Sequence, residues 1–152
     1  MRYLLELSYN GTNFHGWQRQ PNAKSVQHTL EDCFSLIFDE KISLVGAGRT
    51  DARVHARYFC AHFDYNKQIR NKKNLLFKLN SYLGEDIVIR NIHEVSEFFH
   101  ARFDAISRSY EYFLTISKDP FLNNLSYNLK KELDFSKMNL AAMSLYKYTN
   151  FK

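Results

Sequence analysis

The run Arg2-Tyr3-Leu4-Leu5-Glu6-Leu7-Ser8-Tyr9-Asn10-Gly11 sets the fold. Tyr3, Leu5, Leu7 and Tyr9 fall on one face in strict alternation, the period of a β-strand, and Asn10-Gly11 supplies the turn that ends it. A loop then runs through Gly16 and Pro21 to Ser25, an N-cap for a helix. Its apolar positions, Val26, Leu30, Phe34, Ile37 and Phe38, recur at helical spacing, and it should end near Asp39. Ile42, Leu44 and Val45 predict a short strand and residues 56–63 another, with the Gly-rich, charged stretch Gly46–His55 between them. A second helix is predicted from Asn71, with Leu75, Leu79, Tyr82 and Leu83 on its apolar face. Gly84 separates it from a strand over Ile87–Val95.

Strand, helix, strand, strand, helix, strand is the ferredoxin-like (RRM-like) order. It predicts an α+β fold in which an antiparallel sheet carries helices on one face. Beyond it the patterns predict a long strand over Ala105–Ser117, a polar loop around Asp119-Pro120, and a helix from Ser136 bearing Met138, Ala141 and Leu145. The expected organisation is a ferredoxin-like domain over residues 1–104 and the start of a second domain over 105–152. No internal repeat or low-complexity tract interrupts this pattern.

With 152 residues, 45% of them hydrophobic, the chain can bury an ordinary core. Its 21 Lys and Arg against 16 Asp and Glu give a net charge of +5, which fits a polyanionic partner. The 10 Tyr and 13 Phe exceed what a small core needs, and exposed rings beside basic residues can stack on unpaired bases. Lys67, Arg70, Lys72, Lys73 and Lys78 occur with no acid between Asp64 and Glu85. That run reads equally as a phosphate track or a solvated helix face. Cys33 and Cys60 are too few for a disulfide framework, so free thiols in a cytoplasmic protein are expected. Glu6 interrupts the first apolar run and no stretch of eighteen apolar residues follows, so neither secretion nor membrane insertion is expected.

Between Glu40 and Asp64 the sole acid is Asp51, set among Lys41, Arg49, Arg53 and Arg57. Neighbouring guanidinium groups favour the charged form of a carboxylate, which suits a nucleophile or base rather than a proton donor. On spacing alone, an aspartate that caps a turn or pairs with Arg49 explains this pattern better than catalysis does. His55, Cys60 and His62 offer metal-ligand chemistry, but strand alternation takes Cys60 and His62 and no fourth ligand is evident, so no metal is expected.

The odds change with the run Gly46-Ala47-Gly48-Arg49-Thr50-Asp51-Ala52-Arg53-Val54-His55-Ala56, which resembles the active-site segment of TruA-type tRNA pseudouridine synthases. Tyr9-Asn10-Gly11-Thr12, Phe14, Gly16-Trp17-Gln18, Val26-Gln27 and Leu30-Glu31 fit the opening of that family in order and spacing. His100-Ala101-Arg102-Phe103 and Arg108-Ser109-Tyr110 match later. The resemblance spans the chain but only about the first half of the family's usual length. Tyr148-Thr149-Asn150-Phe151 resembles the point where members continue into a second domain that completes the cleft, so a truncated chain is expected.

The resemblance implies isomerisation of uridine to pseudouridine in the anticodon stem-loop of tRNA, with no metal or organic cofactor, by an enzyme that is a homodimer when full length. It implies Asp51 as catalytic nucleophile or base, Arg49 assisting, Tyr110 stacking on the flipped base, and Arg102 and Arg108 as substrate-binding residues; Arg53 is read as substrate-binding beside them from its charge, not from the resemblance. Without the resemblance, Tyr110 would read as core, because Ile106, Tyr112, Leu114 and Ile116 share its strand face. Arg53 stands where the family normally has glycine. A positive φ there would strain the loop by about 1 kcal/mol or more, whereas a negative φ would leave Arg53 free for a phosphate. Asn10 replaces a customary aspartate, a milder change. The competing readings are a noncatalytic RNA-binding module of the same fold, which would not need Asp51, and a small-molecule-binding or purely structural α+β domain.

Overall fold

The structure is a computed structural model in which residues 1–150 are described; Phe151, the last residue of the expected junction motif, lies outside them. It divides into two compact units, the first Met1–Arg108 and the second beginning at Ser109.

In the first unit, β1 (Arg2–Tyr9), α1 (Val26–Phe38), β2 (Leu44–Gly46), β3 (Ala56–Asp64), α2 (Lys72–Tyr82) and β4 (Ile87–Val95) follow one another. The strands lie in the order β2-β3-β1-β4, and every neighbouring pair is antiparallel. This is the ferredoxin-like arrangement expected of that element order. β1 is central, so its alternation is decisive: Tyr3, Leu5, Leu7 and Tyr9 are all buried, while the residues between them are partly open. Against them pack Val26, Leu30, Cys33 and Phe34 of α1, Leu75 and Leu79 of α2, and Ala61 and Phe63 of β3.

Local signals fix the ends of the helices. The Ser25 hydroxyl accepts the His28 amide at 3.3 Å to start α1, and Asp39, left-handed at φ 54°, ends it. The Asn71 side chain accepts the Asn74 amide at 3.0 Å to start α2. One expected face residue is displaced: Tyr82 stands exposed at the end of α2, while Leu75, Leu79 and Leu83 are buried. The β1–β4 register shifts between Glu6 and Leu7, where Arg90 bulges out of the pairing. The extra residue reverses the alternation and lets Ile92 join Ile87 and Ile89 in the core.

A buried carboxylate ties the sheet edge to α1. The Glu31 carboxylate accepts Arg19 Nη1, Gln27 Nε2 and the Leu44 amide, each at 3.1 Å. Burial pushes the Cys33 thiol up to about 12, which leaves it an inert core group.

In the second unit the expected long strand over 105–117 is corrected. Only Leu114–Thr115 (β5) is strand, paired in parallel with Tyr127–Asn128 (β6). Among the described residues, 105–113 carry a strand-like pattern but are not strand; regular pairing begins only where the Phe113 carbonyl accepts the Tyr127 amide at 2.8 Å and leads into β5. The helix expected from Ser136 is present as α3 (Phe135–Ser144), capped by the Asp134 side chain on the Lys137 amide at 3.0 Å.

Candidate active site

The loop that bears Asp51 leaves β2 and returns into β3. The Ala47 amide bonds the Cys60 carbonyl at 2.8 Å, one step past β2, and the chain then swings away from the sheet. Main-chain bonds hold it against the segment that follows β1. The Trp17 amide donates to the Thr50 carbonyl at 3.1 Å, and the Arg53 amide donates to the Phe14 carbonyl at 3.1 Å. His55 Nδ1 accepts the Gly11 amide at 3.2 Å, and the Tyr9 and Thr50 hydroxyls lie 2.9 Å apart in a hydrogen bond. Asp51 thus sits between two anchored residues, Thr50 and Arg53, with a turn closed by the Val54 amide on its own carbonyl at 3.3 Å.

Such close backbone approach depends on Gly16. Its φ is +83°, and a β-carbon there would stand 2.3 Å from the Thr50 carbonyl oxygen, inside van der Waals contact. Beneath the loop, Phe14 and Trp17 are buried although no regular element carries them. The Trp17 ring lies 4.4 Å from that of Phe59 and 6.3 Å from that of Tyr9, so the core extends under the loop.

A second brace comes from Arg108. Its Nε and Nη2 donate to the Ala47 carbonyl at 3.0 and 2.6 Å, and Nη2 also reaches the Arg102 carbonyl at 2.8 Å. One guanidinium therefore joins the start of the Asp51 loop to the turn at 100–104. Histidine rings hold that turn in place. His100 Nδ1 accepts the Arg102 and Phe103 amides at 3.2 and 3.3 Å, and His62 Nδ1 accepts the Ala101 amide at 3.1 Å. Burial, with the charges of Arg2 and His100, lowers the His62 pKa below the ordinary histidine value. The direction agrees with the geometry, since an Nδ1 that accepts an amide cannot also carry a proton.

Sequence reading placed six residues at a site. Asp51, Arg49 and Arg53 share one exposed loop. Among the described residues, no hydrogen bond or ion pair engages the Asp51 carboxylate or either of those guanidinium groups, so neither a side-chain turn cap nor an Arg49 pair accounts for Asp51. Arg53 has φ 67°, the strained alternative and not the negative φ under which its sequence left it free for a phosphate, although its side chain is exposed all the same. Arg102 projects an exposed side chain from the 100–104 turn, while Arg108 spends three contacts on backbone carbonyls. Tyr110, in the second unit, is 74% exposed in this chain. The potential metal ligands have other partners: His55 serves Gly11 and His62 serves Ala101. Among the described residues no cluster of three or more His, Cys, Asp or Glu could hold a metal, and no helix is long and apolar enough to cross a membrane.

The loop, its cradle and the 100–104 turn coincide with the span of a known family: the family model described as tRNA pseudouridine synthase matches residues 7–104. The chain belongs to the tRNA pseudouridine synthase family. It is 46% identical over 150 residues to tRNA pseudouridine synthase A of Parabacteroides distasonis, covering 99% of this chain and 60% of that protein. It is 47% identical over 151 residues to tRNA pseudouridine synthase A of Porphyromonas gingivalis, with the same coverage. With the protein of that name from Thermosipho africanus it shares 38% over 155 residues, 99% of this chain and 64% of the relative. The chain thus spans about three fifths of the length of these curated relatives. The synthase match ends at Asp104, whose carboxylate accepts the His100 amide at 2.7 Å and closes the turn that Arg108 braces.

Sequence reading missed the cradle as structure. Phe14, Gly16 and Trp17 entered only as matched motif positions, and the signal that could have found them is two bulky aromatics flanking a glycine in an otherwise polar loop. The bracing role of Arg108 had no local signal, because its acceptor at Ala47 is distant in sequence.

Proposed function

We propose that the chain supplies the Asp51-bearing part of a tRNA pseudouridine synthase that isomerises uridine to pseudouridine in the anticodon stem-loop of tRNA. The reaction breaks the N1–C1′ glycosidic bond, turns the uracil, and joins C5 to C1′, so atoms balance without an added reactant. An Asp51 carboxylate can deliver its electron pair to ribose C1′, to C6 of the uracil, or to the C2′ proton. Each route needs a carboxylate oxygen held at a fixed place and free of protein partners. The observation that carries this reading is that combination: Thr50 and Arg53 are anchored through their backbones, while the Asp51 side chain is exposed and, among the described residues, has no hydrogen bond or ion pair.

Arg49 assists by attracting the phosphate next to the flipped nucleotide, Arg102 contributes a further cation, and Tyr110 offers a ring for the extruded base. Arg108 takes part on the protein side, holding Ala47. Residues 1–104 form the domain that carries the loop, and 105–152 belong to the domain that follows. The enzyme acts as a homodimer in the cytoplasm. Mapping pseudouridine in tRNA from cells carrying Asp51→Ala tests the proposal: it should abolish the modification in the anticodon stem-loop, and undiminished pseudouridine there rejects the assignment. Unchanged, salt-dependent tRNA binding combined with no product from the unmutated enzyme would instead favour the noncatalytic RNA-binding reading.

A further inference from the structure

Three non-glycine residues among those described have positive φ: Asp39, Arg53 and Asn124. Asp and Asn tolerate the left-handed region because their short polar side chains bond locally, and Asp39 closes α1 there. Arginine has no such compensation. At φ 67° its β-carbon crowds the backbone, and the hydrogen bond from the Arg53 amide to the Phe14 carbonyl fixes that conformation. The strain brings no return inside the fold, because the side chain is exposed and, among the described residues, makes no hydrogen bond or ion pair. Glycine would hold the same turn with less strain. The advantage of arginine must therefore lie outside the fold.

We propose that Arg53 is a phosphate-binding residue for the RNA, a cation placed two residues beyond Asp51 that contacts the backbone beside the reacting nucleotide. The inference rests on the RNA reading above and adds a contact specific to this chain. Arg49 and Arg53 bracket Asp51 in sequence, so a strand entering the loop meets a cation on each side of the carboxylate. Electrostatic attraction of this kind acts on every phosphate and is screened by salt, which gives it a measurable signature.

The test uses the 152-residue chain, an unmodified anticodon stem-loop RNA, and three variants. Arg53→Ala removes the cation but keeps the β-carbon; it should leave the melting temperature unchanged, weaken RNA binding by about fivefold to tenfold at low salt, and reduce the slope of log affinity against log salt by about 1. Arg53→Gly should weaken binding equally while raising the melting temperature by about 2–4 °C, because the relief of strain exceeds the cost of a freer unfolded chain. Arg53→Lys keeps the charge and should retain most of the affinity. Parent-like binding and salt slope in the Ala and Gly variants, with normal binding by the parent, would overturn the role of Arg53 alone. So would a Gly variant that melts no higher than the parent, or a Lys variant as weak as Ala. Absence of salt-dependent binding by the parent chain would overturn the RNA reading together with this inference.

Discussion

Replacing Gly16 with alanine tests whether the backbone cradle is what places Asp51. A β-carbon at that position stands 2.3 Å from the Thr50 carbonyl oxygen, about 1 Å closer than an ordinary contact, so the two segments must separate. Left-handed backbone at φ +83° adds roughly 1–2 kcal/mol for any residue with a β-carbon, partly offset by about 0.5–1 kcal/mol from a stiffer unfolded chain. Separation also breaks the 3.1 Å bond from the Trp17 amide to Thr50 in a residue only 2% exposed, and an unsatisfied buried amide costs about 1–3 kcal/mol. Together these give a loss of about 1–4 kcal/mol. At about 4 °C per kcal/mol that is a drop of roughly 4–16 °C in melting temperature, read by circular dichroism. In an enzyme of the relatives' length, a displacement of about 1 Å at Asp51 should lower kcat by on the order of a hundredfold. Gly84→Ala is the control, since a β-carbon there meets nothing within 4 Å. A Gly16→Ala protein melting within about 2 °C of the parent would refute the reasoning.

Two other perturbations follow from buried polar groups. Glu31→Ala strands the Leu44 amide and releases Arg19 and Gln27, so it should destabilise by about 2–4 kcal/mol, whereas Glu31→Gln keeps an oxygen for Leu44 and should cost less; urea denaturation ranks them, and equal losses would contradict the assigned bonds. His62 has a lowered pKa in the fold, so between the two values the unfolded chain binds more protons than the folded one. Its contribution is therefore complete above the ordinary histidine value of 6.5 and is lost as pH falls below it toward the folded value. Melting temperature should fall from pH 7.5 to about pH 5.5, less steeply in His62→Gln, and parallel pH profiles for the two proteins would remove His62 as the cause.

Local chemistry made much of the first unit legible. β1 could be read because it is central and its buried face follows a period of two without interruption. The ends of α1 and α2 could be read because Ser25 and Asn71 act on amides three residues away. Where the determining partner is distant, reading failed. The bulge at Arg90 arises from pairing with β1, so the spacing of Ile89 and Ile92 looks irregular in isolation. Residues 105–113 have the composition of a strand, but strand formation needs a partner edge that composition does not encode. At the candidate site, the isolation of Asp51 among cations was visible in the sequence, while its support by Trp17, Phe14 and Arg108 was not, because those contacts are long-range bonds to backbone atoms.

That mode of support explains why one loop can combine fixed placement with chemical freedom. A carboxylate held by its own hydrogen bonds would have to give them up before it could act on a substrate, and its oxygens would be less available. Here the restraint falls on Thr50, Arg53, Ala47 and His55, and three of those four contacts use main-chain atoms of the loop. Among the described residues, the side chains at positions 49, 51 and 53 make no hydrogen bond or ion pair, and they are the charged ones of the loop. The same arrangement makes the loop tolerant of side-chain change at its tip but intolerant at Gly16, beneath it. Arg53→Gly and Gly16→Ala should therefore move stability in opposite directions, the first upward and the second downward, although both lie in the paired segments where Gly16 packs on Thr50 and Arg53 bonds Phe14.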